Sequence, residues 1–209
     1  MGHVVLLGDS IFDNRVYVAP APDVAEQLRD RLPHGWTVTL LAVDGDVTVD
    51  VEARQLRRLP RDATHLVVSV GGNDALGSSS ILAEAASSVA DAVSRLAEAQ
   101  ARFARKYERM VSAVTALGVP TALCTIYDAN YPEPQRRLVV AGLTLFNDVI
   151  SRAAFSRGLP LVDLRLICSK AADYANPIEP SARGGAKIAD AVARLVQTEA
   201  ASTGSTVWT

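Results

Sequence analysis

The amino-acid sequence predicts an α/β protein, a three-layer α/β/α sandwich around a five-stranded parallel sheet in the flavodoxin-like order 2-1-3-4-5. Short, almost continuously apolar runs alternate along the chain with segments of helical character, as expected when helices cover both faces of a parallel sheet. The chain has 209 residues, of which 49% are hydrophobic and 21% charged, enough for one well-buried core. We therefore expect one domain over residues 1–200 and a flexible tail over 201–209.

The predicted elements follow from apolar periodicity and from the positions of helix-breaking residues. The strands are His3–Leu7, Thr37–Val43, His65–Val70, Thr121–Tyr127 and Leu159–Leu164. The helices are Val24–Leu32 with Asp23 as its N-cap, Val49–Leu59 ending before Pro60, Leu138–Arg157 ending before Gly158, and about Gly185–Glu199.

The longest helical segment, Ser79–Leu117, contains almost no breaking residue. As a single helix it would be roughly 55–60 Å long, which is too long for a domain of this size, so we expect a break. Its first half carries an apolar stripe at helical spacing, which we interpret as a face packed in the core. The stripe consists of Leu82, Ala85, Val89, Ala92, Val93 and Leu96.

The composition argues against several kinds of partner. The formal net charge is -2 and the basic residues are scattered, so neither nucleic acid nor an anionic membrane surface is an expected partner. Cys124 and Cys168 lie in apolar runs, which favours buried thiols. The chain has no apolar run long enough to span a membrane and no recognisable leader, so we expect no membrane span and a cytoplasmic location.

Glycine and polar residues follow the first three predicted strands directly. These turns are Gly8–Ser10, Asp44–Asp46 and Gly71–Asp74. In the predicted order strand 1 lies between strands 2 and 3, so the three turns emerge side by side at the edge where open α/β sheets bind ligands. We therefore expect one site there.

The residue types in these turns suit acyl transfer. Ser10 offers a nucleophilic hydroxyl, and the N–H groups of Ser10 and Gly45 with the Asn73 side-chain amide offer three donors for an oxyanion. Each turn alone is equally typical of a helix cap or loop, but the ordered set favours a reaction site. The spacings of a dinucleotide-binding loop or a metal site are absent, so we predict neither cofactor nor metal.

These motifs resemble the sequence blocks of the SGNH (GDSL) hydrolase family. The resemblance extends from about Val4 to Val196 and includes the helix-then-strand passage Leu143–Leu164. It implies that Ser10 is the nucleophile and that Ser10, Gly45 and Asn73 form the oxyanion hole. The implied substrate is a small ester or acylated molecule, cleaved through an acyl-enzyme.

The last block departs from the family pattern of Asp-x-x-His-Pro. The aligned stretch runs Asn176-Pro-Ile-Glu179-Pro-Ser181, so Asn176 stands at the position of the orienting aspartate and Glu179 at that of the histidine. The chain's histidines do not compensate, because they belong to strand starts or to the turn before strand 2, at the opposite edge of the sheet. They are His3, His34 and His65.

Three interpretations of Glu179 remain open. It replaces imidazole as a general base, or the protein is a slow hydrolase or a binder, or Glu179 is only a cap or an ion-pair partner of Arg183. We favour a serine hydrolase with Glu179 as base; the alternative is a catalytically silent binding or interaction domain on the same scaffold.

Other polar residues are candidates for supporting roles. Asp9 is expected to brace the serine turn, and Asp74 to cap the segment after Asn73. The loop after strand 4, with Tyr127, Asp128 and Asn130, is a candidate lining of the acyl or leaving-group side. Asp173 is a weaker candidate for acid–base chemistry.

Overall fold

The computed structural model describes residues 1–198 and 206–209. The strands are β1 His3–Gly8, β2 Thr37–Leu40, β3 His65–Ser69, β4 Thr121–Cys124, β5 Leu161–Val162, β6 Tyr174–Asn176, β7 Glu179–Pro180 and β8 Val207–Trp208. The α-helices are α1 Arg15–Val18, α2 Val24–Arg29, α3 Thr48–Asp50, α4 Gly72–Leu76, α5 Val89–Thr115, α6 Gln135–Phe155, α7 Leu164–Ile167 and α8 Ala182–Gln197. A π-helical turn, Val51–Gln55, follows α3, and shorter 3-10 turns lie at Leu56–Arg58, Ser79–Ala83 and Ala171–Asp173.

The main sheet has the order β2-β1-β3-β4-β5-β8, and all of its strands are parallel. The predicted fold class and the predicted order of the first five strands are therefore confirmed. The sheet has six strands because Val207–Trp208 pairs with β5. This corrects the predicted flexible tail at residues 206–209, while residues 201–205 of that tail lie outside the described residues.

Alternate residues of β1 face two separate apolar layers. Val4 and Leu6 pack in the layer that contains α2 and α8, while Val5 and Leu7 pack in the layer that contains α5 and α6. This alternation is the one expected of a strand covered on both faces. Cys124 and Cys168 are buried free thiols, as predicted.

The segment between β3 and β4 is broken as predicted, but its apolar stripe is not packed. The 3-10 turn Ser79–Ala83 ends well before α5, whose first turn is capped by the Ser88 side chain. Leu82, Val89 and Val93 are 46%, 81% and 57% exposed, so the prediction of a core face here was wrong. The buried face of α5 lies mainly in its later turns, the part that packs over the sheet.

The start of α8 is packed closely against the loop before β6. A Cβ atom at Gly184 would lie 2.1 Å from the carbonyl oxygen of Asp173. The same loop is tied to the helix because Lys187 Nζ lies 2.6 Å from the fully buried Asp173 carboxylate. The hairpin β6–β7 therefore has a fixed position relative to α8.

Helix α6 is the one helix among the described residues with the length and mean hydropathy, 1.5, of a membrane span. Length and composition alone are weak evidence for a span, because the core helices of soluble proteins can have the same length and hydropathy. One face of α6 packs on the sheet through residues that include Phe146 and Ile150.

Two glycine substitutions test the packing at the start of α8. Alanine in a helix is normally more stable than glycine by about 0.5–1 kcal/mol, and Gly142→Ala in α6 should show this gain because its Cβ would meet open space. Gly184→Ala should instead lower the free energy of unfolding by about 1–3 kcal/mol, since its Cβ would overlap the Asp173 carbonyl. Urea unfolding measures both, and equal shifts would contradict the close packing.

Candidate functional site

The centre of the site is a direct contact between a serine and a carboxylate. The Ser10 hydroxyl donates a hydrogen bond to Glu179 Oε1 at 3.0 Å. Both residues are buried, at 7% and 5% exposure. Glu179 Oε2 is also buried and has no hydrogen-bond partner in the described part of the chain. The carboxylate is therefore held by Ser10 on one side and has acceptor capacity left on the other.

The turn that carries Ser10 depends on Gly8. Its φ is +129°, and a Cβ atom there would lie 1.7 Å from the carbonyl oxygen of Ser69 on β3. Only glycine allows this left-handed backbone and this close approach between neighbouring strands. The serine is thereby brought to the carboxyl end of β1, directly beside the end of β3.

The other predicted oxyanion donors lie on adjoining turns. Gly45 is the third residue of a turn in which Asp46 N donates to Val43 O at 3.0 Å, and its φ is +84°. The backbone N–H groups of Ser10 and Gly45 donate to no other group within residues 1–198 and 206–209. Asn73 Nδ2 donates one hydrogen to Asp46 O at 3.0 Å and keeps the other. All three predicted donors thus have a hydrogen available.

Asp74 has a different role from the predicted helix cap. Helix α4 begins after Gly71 without a side-chain cap. Asp74 Oδ2 instead accepts from both the backbone N–H and the hydroxyl of Thr48, each at 2.8 Å. The physical reason is that α4 starts beside the turn after β2, so the carboxylate reaches across to Thr48 and fastens the two turns together.

The buried side chain of Gln55 connects the turn that carries Ser10 with the turn that carries Gly45. Its Nε2 donates to Gly8 O at 2.7 Å and to Asp46 Oδ2 at 2.8 Å, and its Oε1 accepts from Gly8 N at 2.8 Å. The side chain is 2% exposed. Gln55 belongs to no motif, so sequence reasoning missed it. One signal could have pointed to it: it lies four residues after the apolar Val51 in a predicted helix, so both side chains face the core.

The electrostatic environment of the site is acidic. Burial raises the pKa of Glu179 to about 7; the hydrogen bond from Ser10 opposes this shift and charge on Asp44 adds to it. Burial also raises the pKa of Asp9 to about 8, opposed by the hydrogen bond from the Ile11 N–H and reinforced by Glu179. Within the described residues no lysine or arginine pairs with Asp9 or Glu179. Both carboxyl groups therefore favour their neutral forms more than exposed ones do.

Asp9 braces the serine turn through the bond to Ile11 N, at 3.2 Å. Asn176 does not orient Glu179, because its Oδ1 accepts from Ile178 N at 2.9 Å within the hairpin. The hairpin is fastened to the serine loop by Asn14 instead, whose Nδ2 donates to Pro180 O at 3.4 Å. The assignment of Asn176 as an orienting residue is thus not supported by its contacts.

Asp173 and Arg183 pair with each other and not with the site. Arg183 Nε lies 3.6 Å from Asp173 Oδ1, so the interpretation of Arg183 as the ion-pair partner of Glu179 was wrong. Burial alone raises the pKa of Asp173, but hydrogen bonds from Lys187 and the Lys170 N–H outweigh it and hold the pKa below its usual value. Asp173 is therefore an anchor of the loop and not an acid–base group.

The histidines lie away from the site, as predicted. His3 and His65 are the first residues of β1 and β3, and His34 precedes β2. His3 is bonded to Thr39, and the His65 ring stacks on Trp36. Strands of five or six residues span roughly 17–20 Å, so these rings are far from Ser10 at the other end of the sheet.

An apolar cavity of about 370 Å³ opens directly beside Ser10 and Glu179. Asn73 lines it with them, whereas Gly45 does not. Most of its wall is aliphatic or aromatic. It is supplied by α6, by the 3-10 turn Ser79–Ala83, by α4 and α5 and by the loop after β4.

The loop after β4 divides between two pockets. Tyr127 lines the apolar cavity, and its hydroxyl donates to Ile178 O. Asp128 and Asn130 line a second, polar cleft of about 420 Å³, together with Arg165. Only the tyrosine of the three predicted lining residues therefore faces the cavity beside Ser10.

Solved structures of lipases and esterases resemble this fold over almost its whole length. The extracellular lipase of Streptomyces rimosus has a TM-score of 0.66 at 18% identity, over 90% of this chain and 96% of the lipase. The phospholipase A1 of Streptomyces albidoflavus NA297 has a TM-score of 0.66 at 19% identity, over 95% and 99% of the two chains. An aryl esterase of M. smegmatis has a TM-score of 0.66 at 14% identity, over 95% and 99%. At identities this low, the structural similarity shows a shared fold and nothing about function.

Among the curated proteins compared with the chain, none matches it significantly. A sequence model described as the GDSL-like Lipase/Acylhydrolase family matches residues 6–187. This match covers most of the domain, from the serine turn to the first turns of α8. The chain therefore belongs to the GDSL-like lipase/acylhydrolase family.

Proposed function

We propose that the protein is a serine-dependent ester hydrolase in which Glu179 is the general base. The observation that carries the proposal is the 3.0 Å hydrogen bond from the Ser10 hydroxyl to Glu179 Oε1. A base within hydrogen-bond reach of the proton that it removes is the first geometric requirement of general-base catalysis. The turns beside it supply free N–H donors, which are the second requirement of acyl transfer.

The reaction follows from these positions. Glu179 takes the hydroxyl proton as Ser10 Oγ bonds to the ester carbon, and the carbonyl π electrons move to oxygen. The N–H groups of Ser10 and Gly45 and the second hydrogen of Asn73 Nδ2 stabilise that oxyanion. Its collapse expels the alcohol, which takes the proton from Glu179 and leaves an acyl group on Ser10. Water then attacks the acyl carbon as the same carboxylate takes its proton. The bond between Ser10 Oγ and the acyl carbon breaks, Oγ takes the proton back from Glu179, and the acid is released.

The pKa of Glu179 matters because an exposed glutamate is too weak a base for this role. A general base is most effective when its pKa lies near the working pH, and burial raises that of Glu179 to about 7. This value is close to the ordinary pKa of histidine, about 6.5. The buried site therefore gives the carboxylate a basicity comparable to that of the imidazole it replaces.

A second candidate function is a binding domain without turnover. It is favoured by Glu179 Oε2, which has no hydrogen-bond partner to fix the carboxylate against Ser10 in a single orientation. In this case the apolar cavity would hold its ligand and the serine would not react.

Ser10→Ala separates the two functions. The wild type should be labelled covalently by a fluorophosphonate, with loss of fluoride, and should hydrolyse nitrophenyl esters. Ser10→Ala should lose the label and at least about 10³-fold of turnover, because no acyl-enzyme can form. Ser169→Ala, which changes an exposed serine of the polar cleft, is the matched control and should keep both. Wild-type protein that neither labels nor turns over would support the binding domain.

The pH dependence tests the base. Because Glu179 must be ionised to accept the proton, kcat/KM should rise with pH through about 7 and then level off. Glu179→Gln should reduce it by at least about 10²-fold at pH 8. Asp9 faces the same site and has a pKa of about 8, so Asp9→Asn should keep the rise near 7 and lose any inflection near 8. A wild-type profile that is flat between pH 6 and 8 would rule out the base role.

Stability provides the control for Glu179→Gln. The pKa of Glu179 is raised on folding from 4.5 to about 7, so its ionisation destabilises the fold increasingly as pH rises between these values. The glutamine variant lacks this loss. It should therefore be at least as stable as the wild type at pH 8, which separates lost chemistry from lost folding.

Gln55→Met tests whether Gln55 positions the two turns. The change keeps the side-chain size but leaves the Gly8 N–H and Asp46 Oδ2 without their partner on Gln55, while Gly8 O keeps its bond from Val43 N. Each buried group left unsatisfied costs about 1–3 kcal/mol, so urea unfolding should show a loss of roughly 3 kcal/mol. For a positioning residue, kcat should fall more than KM rises in the protein that remains folded. A stability change below about 0.5 kcal/mol would contradict the proposed network.

A further inference from the structure

The apolar cavity has two chemically different parts. At the end of the sheet it is lined by the carboxyl groups of Asp9 and Glu179 and by Ser10. The remainder is lined mainly by apolar residues, with a few polar ones such as Ser79 and Gln135 among them. The apolar residues include Ile81, Leu82, Leu96, Leu138, Val139 and Phe146. The reactive groups therefore lie at one part of a cavity whose other part is suited to hydrocarbon.

Gly142 leaves a gap in the helical wall. It lies on α6 between Leu138 and Leu145, at the i, i+4 and i+7 spacing that puts all three on one face, and all three line the cavity. A Cβ atom at Gly142 would meet nothing within 4 Å. The row of leucines is thus interrupted by the one residue without a side chain, and the space that a side chain would fill belongs to the cavity.

The charges of the wall limit what can occupy this space. Among the residues that the structure describes, no lysine or arginine lines the cavity, so an anionic group would find no cationic side chain there and would meet two carboxyl groups. A sugar would leave its hydroxyl groups largely unpaired against aliphatic walls. An uncharged hydrocarbon chain meets neither obstacle.

We infer that the apolar cavity binds a linear acyl chain of about eight to twelve carbons, joined by a neutral ester to a group outside, and that Gly142 sets the limit of chain length. A water molecule takes roughly 30 Å³ in the liquid, and a methylene group is of similar size, so 370 Å³ accommodates about twelve such groups. Three leucines of the cavity wall are also exposed to solvent. They are Leu76, Leu82 and Leu138, which are 42%, 46% and 55% exposed. They form the mouth through which the chain enters. This inference rests on the proposed hydrolase function for its kinetic test.

The kinetic test compares nitrophenyl decanoate with nitrophenyl acetate. Each buried methylene contributes about fourfold to kcat/KM, so the wild type should prefer decanoate by at least about 100-fold. Gly142→Phe fills the gap and should lower the ratio of kcat/KM for decanoate to that for acetate by at least about tenfold. The ratio for Gly142→Leu should lie between those of the wild type and Gly142→Phe. The matched control is Ala141→Phe, which adds the same ring to an exposed position of α6 outside the cavity and should keep the wild-type ratio.

A binding test works without turnover. Because the carboxyl groups of the site disfavour a fatty-acid anion, the probe is 1-decanol, with ethanol at equal concentration as its control. Decanol should raise the melting temperature of Ser10→Ala and of Ser10→Ala with Ala141→Phe, but not that of Ser10→Ala with Gly142→Phe. Gly142→Leu provides a milder change if the phenylalanine variant folds poorly.

The outcomes distinguish the two proposals. If Gly142→Phe abolishes decanol binding in a protein that has no esterase activity, the proposed hydrolase function is wrong and the proposed acyl-chain site is supported. Ester turnover with equal chain-length ratios in Gly142→Phe and Ala141→Phe would overturn the acyl site and keep the hydrolase. A wild type that prefers acetate would also overturn it.

Discussion

The contact between the Ser10 hydroxyl and the Glu179 carboxylate is the one on which the proposed chemistry depends, and the fold secures it from two sides. Gly8 lets the serine turn approach the end of β3. Gly184 does the same for the start of α8, where the Asp173 carbonyl fills the space of a side chain. Two glycines that bear no functional group therefore determine where the two reactive groups meet.

In the proposed mechanism, Asn176 and Glu179 in place of an Asp-x-x-His arrangement would amount to one chemical change. An imidazole that accepts a proton becomes a cation, and it needs a carboxylate beside it to stabilise the charge and fix its tautomer. A carboxylate that accepts a proton becomes neutral and needs no such partner. The bond of Asn176 to the Ile178 N–H within the hairpin is consistent with this. With a glutamate as the proposed base, an orienting aspartate would have no remaining function.

The sheet and the polar turns could be predicted because parallel strands and tight turns leave strong local signals. The apolar runs gave β1 and β3 almost to the residue, and GDS and GGND marked the ends of those strands. Contacts between distant segments left no such signal. Gln55 binds the backbone of Gly8, 47 residues away in sequence, and the exposed stripe at the start of α5 has ordinary helical periodicity. Whether the apolar face of a helix is buried depends on which other elements pack against it, and the periodicity of the sequence does not predict that.

The apolar cavity and the proposed base would also act on each other. Glu179 owes its raised pKa mainly to burial, and a hydrocarbon chain in the apolar cavity would remove more of the water that remains near its carboxylate. Desolvation disfavours the charged form of a carboxyl group and makes it a stronger base. A chain long enough to fill the space left by Gly142 would therefore strengthen the base beside it. Chain length would then influence the proton transfer from Ser10 as well as the binding of the ester.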